Sequence, residues 1–154
     1  MGLKMKWVLD GFKKGKIVRT KVNNSFFHYG LIIDDNKVIQ YGKAIDSISK
    51  PAHDVEVLIT TLDEFNNGFI EVCKYSFWDL FKKNRTKKAI KLAMARLGEK
   101  KYDFLKNNCE HFVNDCVFNK HRSRQIDSMR EHVKKKHKLL FKKDRTAKNI
   151  ELKD

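Results

Sequence analysis

Short apolar runs alternate with polar turns in the first half of the chain. The runs are rich in β-branched and aromatic residues, and Asn, Asp, Gly or Pro residues separate them. Segments of this length and composition are typical of β-strands. The pattern predicts an antiparallel meander with strands at 16–22, 27–33, 38–42, 54–60 and 69–75.

The spacing of the apolar positions becomes helical after about residue 84. A first helix is predicted to end at Gly98, because glycine is common directly after a helix. Its repeating apolar residues are Ile90, Ala93, Met94 and Leu97. A second helix is predicted to begin near Asn108, with Cys109 on its apolar stripe. The rest of that stripe comprises Phe112, Val113, Cys116 and Val117. The fold class is therefore α+β, an antiparallel sheet packed against helices.

Cys109 and His28 are the candidates for chemistry. Cys109 stands at the start of a predicted helix, and His28 opens an apolar strand. A cysteine reacts as the thiolate, and both a helix N-terminus and a neighbouring imidazole favour that form. We therefore expect the pKa of Cys109 to lie below its usual value of about 8.5. The pair is interpreted as a nucleophile and its base.

The hairpin after His28 identifies a third polar position. His28 and Gln40 are twelve positions apart, so they share a face of a hairpin only if the loop has an odd length or a bulge interrupts the strands. A three-residue loop at 34–36, with Asn36 in the left-handed region, meets this condition. It places Gln40 opposite Gly30 and diagonal to His28.

The residues around these positions resemble the lecithin retinol acyltransferase family. The resemblance rests on the Asn-Cys-Glu-His-Phe motif at 108–112, on the His-Tyr-Gly strand start at 28–30, and on the order of histidine before cysteine. It extends over roughly residues 15 to 126, with further segments in the family's order at 61–65, 93–98, 102–105 and 123–126. It implies a circularly permuted papain-like fold and acyl donors that are glycerophospholipids.

The resemblance also assigns roles to the site. It places the family's third polar residue at Gln40, where many members have a second histidine. A glutamine oxygen can accept the N–H of His28 and fix its tautomer, but it cannot carry a proton. Further candidates are Tyr29 and Asn108 for binding substrate or the oxyanion, and His111, partly exposed, as a supporting neighbour. For Tyr29, a side chain on the opposite face of the strand is the plainer expectation.

A zinc site is the competing interpretation of the cysteine region. Its potential ligands lie within thirteen residues of one another, at Cys109, His111, Cys116 and His121. A Cys-x-His pair in one helical turn points its two side chains apart, and the usual paired spacings of zinc ligands are missing. We therefore predict no metal and no cofactor. Cys73 and Cys116 are expected in the core.

Composition limits the architecture and the location. The chain has 154 residues, 41% of them hydrophobic, which suits one catalytic domain at 1–126 and an extension at 127–154. Three cysteines without disulfide-dense spacing fit a reducing compartment. The N-terminal segment through Trp7 has no apolar core for a signal peptide, and no stretch reaches the roughly 18 apolar residues of a membrane span. We expect a cytoplasmic protein whose membrane contact, if any, is peripheral.

Positive charge points to anionic partners. The net charge is +15, and the predicted helical extension carries ten basic and five acidic residues. Leu139, Leu140 and Phe141 interrupt its lysines, which is the pattern of a helix on a membrane surface. The lysines that would contact an anionic membrane are Lys134, Lys135, Lys136, Lys138, Lys142 and Lys143. Nucleic acid is less favoured as a partner, because the lysines lack interleaved stacking aromatics.

Three functions follow from these features. The first is a cysteine-dependent acyltransferase or phospholipase-type hydrolase that acts on lipid or other ester-linked acyl groups through a thioester. An amidase or peptidase with the same machinery is the second. The third is a non-catalytic basic module that binds membranes or nucleic acid.

Overall fold

The computed structural model describes residues 5–151, apart from the side chains at 147 and 149–151. Residues 1–4 of the N-terminal segment, for which no signal peptide is predicted, lie outside the described residues. The same holds for residues 152–154 of the predicted extension. The chain divides into two units. The first extends to Ser123, and the second begins at Arg124.

Among the described residues, six strands form one antiparallel sheet in the order β1-β6-β2-β3-β4-β5. The predicted α+β class with an antiparallel sheet is confirmed. All five predicted strands are present, and β1 is an additional strand too short to give an alternation signal. The strands are β1 (Lys6–Val8), β2 (Ile17–Lys21), β3 (Phe27–Asp34), β4 (Lys37–Tyr41), β5 (Val57–Thr60) and β6 (Ile70–Lys74).

The predicted meander is correct from β2 to β5 but wrong for β6, which pairs with β2 and β1. The edge of β5 that a meander would offer to β6 is already occupied. The Val57 N–H donates to the Glu99 carbonyl (3.1 Å), and the Gly98 N–H donates to the Val57 carbonyl (2.9 Å). The chain after β5 therefore crosses to the open edge of β2.

Residues 5–151 also form six helices and a short 3₁₀ turn at Ala52–Asp54. They are α1 (Asp46–Ser49), α2 (Leu62–Phe65), α3 (Phe77–Lys82), α4 (Thr86–Met94), α5 (Cys109–Phe118) and α6 (Arg124–Glu151). Helix α4 ends before its predicted end at Gly98, whereas α5 begins where predicted. Asn119 ends α5 in the left-handed conformation (φ 53°), which asparagine tolerates. Within residues 5–151, no helix combines the length and the apolar character needed to cross a bilayer.

The two faces of the sheet carry separate apolar clusters. Helix α5 packs on the face formed by Tyr29, Leu31, Ile39 and Tyr41, through its residues Cys109, Phe112, Val113, Cys116 and Val117. The opposite face holds a smaller cluster, composed of Val18, Ile32, Val38, Phe65 and Val72. Successive side chains of a strand point to opposite faces, so neighbours along β3 belong to different clusters.

The β3–β4 hairpin has the predicted register, but a β-bulge produces it and not a three-residue loop. Gly30 lies opposite Gln40 as predicted, but Asp34 pairs with Lys37, which leaves a turn of two residues. The register shifts between Ile32 and Asp34, so a bulge supplies the odd residue that the loop was expected to contain. Asn36 does not adopt the predicted left-handed conformation.

Gly30 is required by close packing on the Phe65 face. A β-carbon at this position would lie 2.6 Å from Val38 Cγ1 and 2.8 Å from Phe65 Cε2. We predict that Gly30→Ala lowers the free energy of unfolding by about 1–3 kcal/mol, measured by urea denaturation. The double variant Gly30→Ala/Val38→Ala lacks the Val38 methyl group that clashes with the new β-carbon. Its free energy of unfolding should therefore fall by less than the sum of the decreases in the two single variants. Additive losses would contradict the steric explanation.

Candidate active site

Asn108 fixes the start of α5. Its side-chain oxygen accepts hydrogen bonds from the N–H groups of Glu110 (2.9 Å) and His111 (3.1 Å). In return, His111 Nδ1 accepts the N–H of Asn108 at 3.1 Å. This reciprocal cap holds the first helical turn, which begins with Cys109. The predicted placement of the cysteine at a helix N-terminus is confirmed.

Arg96 holds the loop that leads into Cys109. Its guanidinium lies 2.8 Å from a carboxylate oxygen of Glu99 and 3.0 Å from Asp115 Oδ2. It also donates to Asn107 Oδ1 at 3.2 Å. The main chain of Asn107 pairs with that of Asp103 in both directions. Residues that follow α4, together with one from α5, therefore fix the position of Cys109. The motifs in the sequence did not predict this support.

The Cys109 thiol is buried against β3. Burial, with a smaller contribution from the charge of Glu110, raises the pKa of Cys109 to about 12. Hydrogen bonds from the main chain of Tyr29, Glu110 and Cys109 itself oppose this rise without overcoming it. The prediction of a lowered pKa is therefore wrong. Cys109 is therefore a neutral thiol at physiological pH.

His28, Gln40 and Thr60 form a buried polar row across β3, β4 and β5. His28 Nε2 lies 2.7 Å from Gln40 Oε1, and Gln40 Nε2 donates to Thr60 Oγ1 at 2.6 Å. With the amide oxygen turned toward His28, Nε2 carries the proton and Nδ1 keeps its lone pair. Burial lowers the pKa of His28 to about 4, although hydrogen bonds to Gln40 and to the backbone of Gly42 oppose this shift. The imidazole is neutral at physiological pH.

The thiol and the imidazole approach β3 from different sides. The His28 ring lies 5.5 Å from the Phe65 ring, centroid to centroid, on the face opposite α5. Cys109 belongs to the cluster of Tyr29, the next residue along the strand, and is hydrogen-bonded to the Tyr29 main chain. The structure thus joins His28 directly to Gln40, and places Cys109 at the backbone of the residue that follows His28.

The three remaining predicted residues are buried close to Cys109. Tyr29 packs its ring 5.8 Å from that of Trp7, and burial raises the pKa of its hydroxyl. The side-chain amide of Asn108 donates hydrogen bonds to the Phe104 carbonyl (2.9 Å) and to Ser123 Oγ (3.3 Å).

His111 is buried, not partly exposed as predicted, and its ring stacks on that of His121 at 4.6 Å. The cap explains this burial, because Nδ1 of His111 must face the Asn108 N–H.

The sequence model of the lecithin retinol acyltransferase family matches residues 11–122, close to the predicted range of 15 to 126. The chain belongs to this family. The match includes β2 to β6 and the helix that presents Cys109, and the predicted resemblance is confirmed. Membership of the lecithin retinol acyltransferase family indicates acyltransferase or hydrolase activity. Comparison of the chain with curated proteins gives no match.

Two buried polar residues of this family member were missed in the sequence. Thr60 pairs with Val38, which places it diagonal to Gln40, so extending the register rule to β5 would have found it. Glu110 is buried and accepts a hydrogen bond from Ser123 Oγ at 2.6 Å. Glu110 belongs to the Asn-Cys-Glu-His-Phe motif, but nothing in the sequence indicates its burial, because glutamate is normally exposed.

The cysteine region was also considered as a metal site. Over residues 5–151, the structure assembles no group of three or more His, Cys, Asp or Glu side chains suited to a metal ion. Cys73 and Cys116 are fully buried in the core, as predicted.

The neutral state of Cys109 is measurable by alkylation. Because its pKa is about 12, we predict that the iodoacetamide rate constant at Cys109 rises about 10³-fold from pH 7 to pH 10, following the thiolate fraction. Peptide mass spectrometry separates Cys109 from Cys73 and Cys116. A free cysteine peptide is the control, and its rate should rise only about 30-fold before a plateau. A plateau for Cys109 at or below pH 7 would contradict the neutral thiol.

Proposed function

We propose that the protein is a thiol acyltransferase or hydrolase that acts on ester-linked lipids through a thioester at Cys109. The observation that carries the proposal is Cys109 at the first position of a capped helix, within the matched region of an acyltransferase family. The Asn108 cap occupies the N–H groups of Glu110 and His111, whereas the N–H of Cys109 lies at its own thiol. A main-chain N–H at a helix start can stabilise an oxyanion that forms there. Cys109 is thus a nucleophile with electrostatic support beside it.

The proposed reaction begins from two neutral groups. His28 accepts the Sγ proton while sulfur attacks the ester carbonyl, and the N–H of Cys109 at the start of α5 binds the oxyanion. The intermediate then collapses: the carbon–oxygen bond to the lysolipid breaks, and the imidazolium returns the proton to the leaving alkoxide. The acyl group remains on sulfur. Water, an alcohol or an amine then attacks the thioester and releases the enzyme.

His28 and Gln40 have different roles in this proposal. With a pKa of about 4, His28 is unprotonated at neutral pH and is available as a base. Gln40 orients the ring through its 2.7 Å contact with Nε2 and leaves Nδ1 to take the proton. Cys109 contacts the Tyr29 backbone, and the imidazole lies on the other face of β3. Proton transfer in this proposal therefore requires His28 Nδ1 to approach Sγ around the beginning of the strand.

Apolar side chains beside the nucleophile favour a lipid substrate. The Phe26 and Phe104 rings meet edge to face at 5.4 Å, and Phe104 and Leu105 are 40% and 42% exposed. Phe104 and Leu105 belong to the loop directly before Asn108, and the Phe104 carbonyl accepts the Asn108 amide. An exposed apolar rim of this kind suits an acyl chain better than a polar peptide.

Helix α6 supports a peripheral contact with an anionic membrane as part of this proposal. Its apolar residues Leu139, Leu140 and Phe141 are exposed among lysines. A helix with this composition is typical of a membrane surface. The lysines assigned to the headgroups are Lys134, Lys135, Lys136, Lys138, Lys142 and Lys143.

Turnover of short-chain phosphatidylcholine and phosphatidylethanolamine tests the proposal. We predict lysolipid release by the wild type, no release above background by Cys109→Ala, and a loss of about 10²-fold or more in kcat/KM for His28→Ala, because general-base catalysis contributes about 10²- to 10⁴-fold. Gln40→His should retain activity, since a second histidine can also orient the ring.

Cys116→Ala is the matched control, because Cys116 is a buried cysteine of the same helix. It should keep the wild-type rate. Equal lysolipid release by wild type and Cys109→Ala would contradict the proposal. Turnover of acyl amides with no release from either lipid would favour an amidase.

A further inference from the structure

Helix α3 displays an apolar surface that the active site does not use. The α3 surface consists of Phe77, Trp78, Leu80 and Phe81, which are 66%, 62%, 56% and 72% exposed. The Phe77 ring contacts those of Trp78 (5.8 Å) and Phe81 (4.9 Å), so the aromatic residues are contiguous. Single exposed apolar residues are common, but a contiguous patch marks an interaction site.

The local structure holds these side chains outward. Ser76 and Asp79 form a capping box, in which the Asp79 carboxylate accepts the Ser76 N–H at 2.8 Å and the Ser76 hydroxyl accepts the Asp79 N–H at 3.1 Å. Asp79 is consequently buried, while its apolar neighbours face the solvent. The α3 helix therefore reverses the usual arrangement, with its acidic residue inside and its aromatic residues outside.

The base of α3 is anchored to the sheet. Tyr75, directly before the helix cap, donates its hydroxyl to the Gly15 carbonyl at 2.9 Å and accepts the Ile17 N–H at 3.1 Å. Its ring also packs on that of Phe118 at 6.0 Å. The start of α3 is thus fixed to β2 and α5 of the first unit through Tyr75.

Basic residues follow the α3 surface without an intervening acid. Between Leu80 and Gly98 the sequence contains seven Lys or Arg residues and no Asp or Glu. Four of these basic residues border an open cleft of about 620 Å³ along α4, lined by Arg85, Lys87, Lys88, Lys91, Leu92 and Ala95. The aromatic cluster therefore continues into a positively charged surface.

We propose that the α3 surface inserts into the interfacial region of an anionic lipid bilayer, with the basic residues of 82–91 on the headgroups. Tryptophan and phenylalanine favour the boundary between headgroups and acyl chains, and lysine and arginine favour anionic lipid. A protein partner would need acidic groups to match this surface, whereas an anionic bilayer supplies both the apolar layer and the charge. The inference does not depend on the chemistry at Cys109.

Vesicle binding by the full-length Cys109→Ala protein tests the inference without turnover. With vesicles that contain about 30% phosphatidylserine in phosphatidylcholine, we expect co-sedimentation and a blue shift of tryptophan emission, because Trp78 leaves water. Trp7, the other tryptophan, is covered by Arg19 at 4.1 Å. Adding Trp78→Ala/Phe81→Ala should weaken co-sedimentation at least 10-fold. Pure phosphatidylcholine vesicles should bind weakly.

The matched control is Ile45→Ala/Ile48→Ala, which removes two apolar side chains of similar exposure (65% and 67%), one directly before α1 and one within it. This control should bind vesicles as the parent protein does. Three results would overturn the inference. They are equal binding by the Trp78→Ala/Phe81→Ala protein, binding that is lost only on substitution of Lys134, Lys135 and Lys136 in α6, and self-association through α3 without vesicle binding.

Discussion

The first turn of α5 rests on the main chain of β3 at Tyr29, and the geometry of the site depends on this contact. Phe112 and Val113 anchor the turn in the larger apolar cluster, Asn108 caps it, and Arg96 fixes the loop before it. Packing of the core therefore determines the position of Cys109. A change in any of these supports would move the sulfur relative to β3.

Burial at this contact also determines the protonation of the site. Raising the pKa of Cys109 from 9.0 to about 12 increases the free energy of ionising the thiol by about 4 kcal/mol. A helix N-terminus stabilises an anion by about 1 kcal/mol, so desolvation outweighs it. The same cause lowers the pKa of His28 to about 4. The proposed chemistry consequently moves a proton during the attack on the carbonyl and does not use an ion pair formed in advance.

Local patterns predicted the strands, the start of α5 and the opposition of Gly30 and Gln40, because alternation and register are local properties. The position of β6 was not predictable in this way, since it depends on the 98–99 segment that occupies the edge of β5. The prediction that the pKa of Cys109 is lowered was wrong for a related reason. The motif specifies a helix start, but the extent of burial depends on residues distant in sequence. The same limit applies to Glu110, whose burial no local pattern reveals.

In the proposed mechanism, Cys109 carries the acyl group as a thioester. Intact-mass spectrometry after brief incubation with short-chain phosphatidylcholine tests it most directly. The account predicts a mass increase of one acyl group on the wild type, released by hydroxylamine as expected for a thioester, and no increase on Cys109→Ala. An acyl adduct that persists on Cys109→Ala, or lysolipid release from wild type with no adduct under rapid acid quenching, would contradict it.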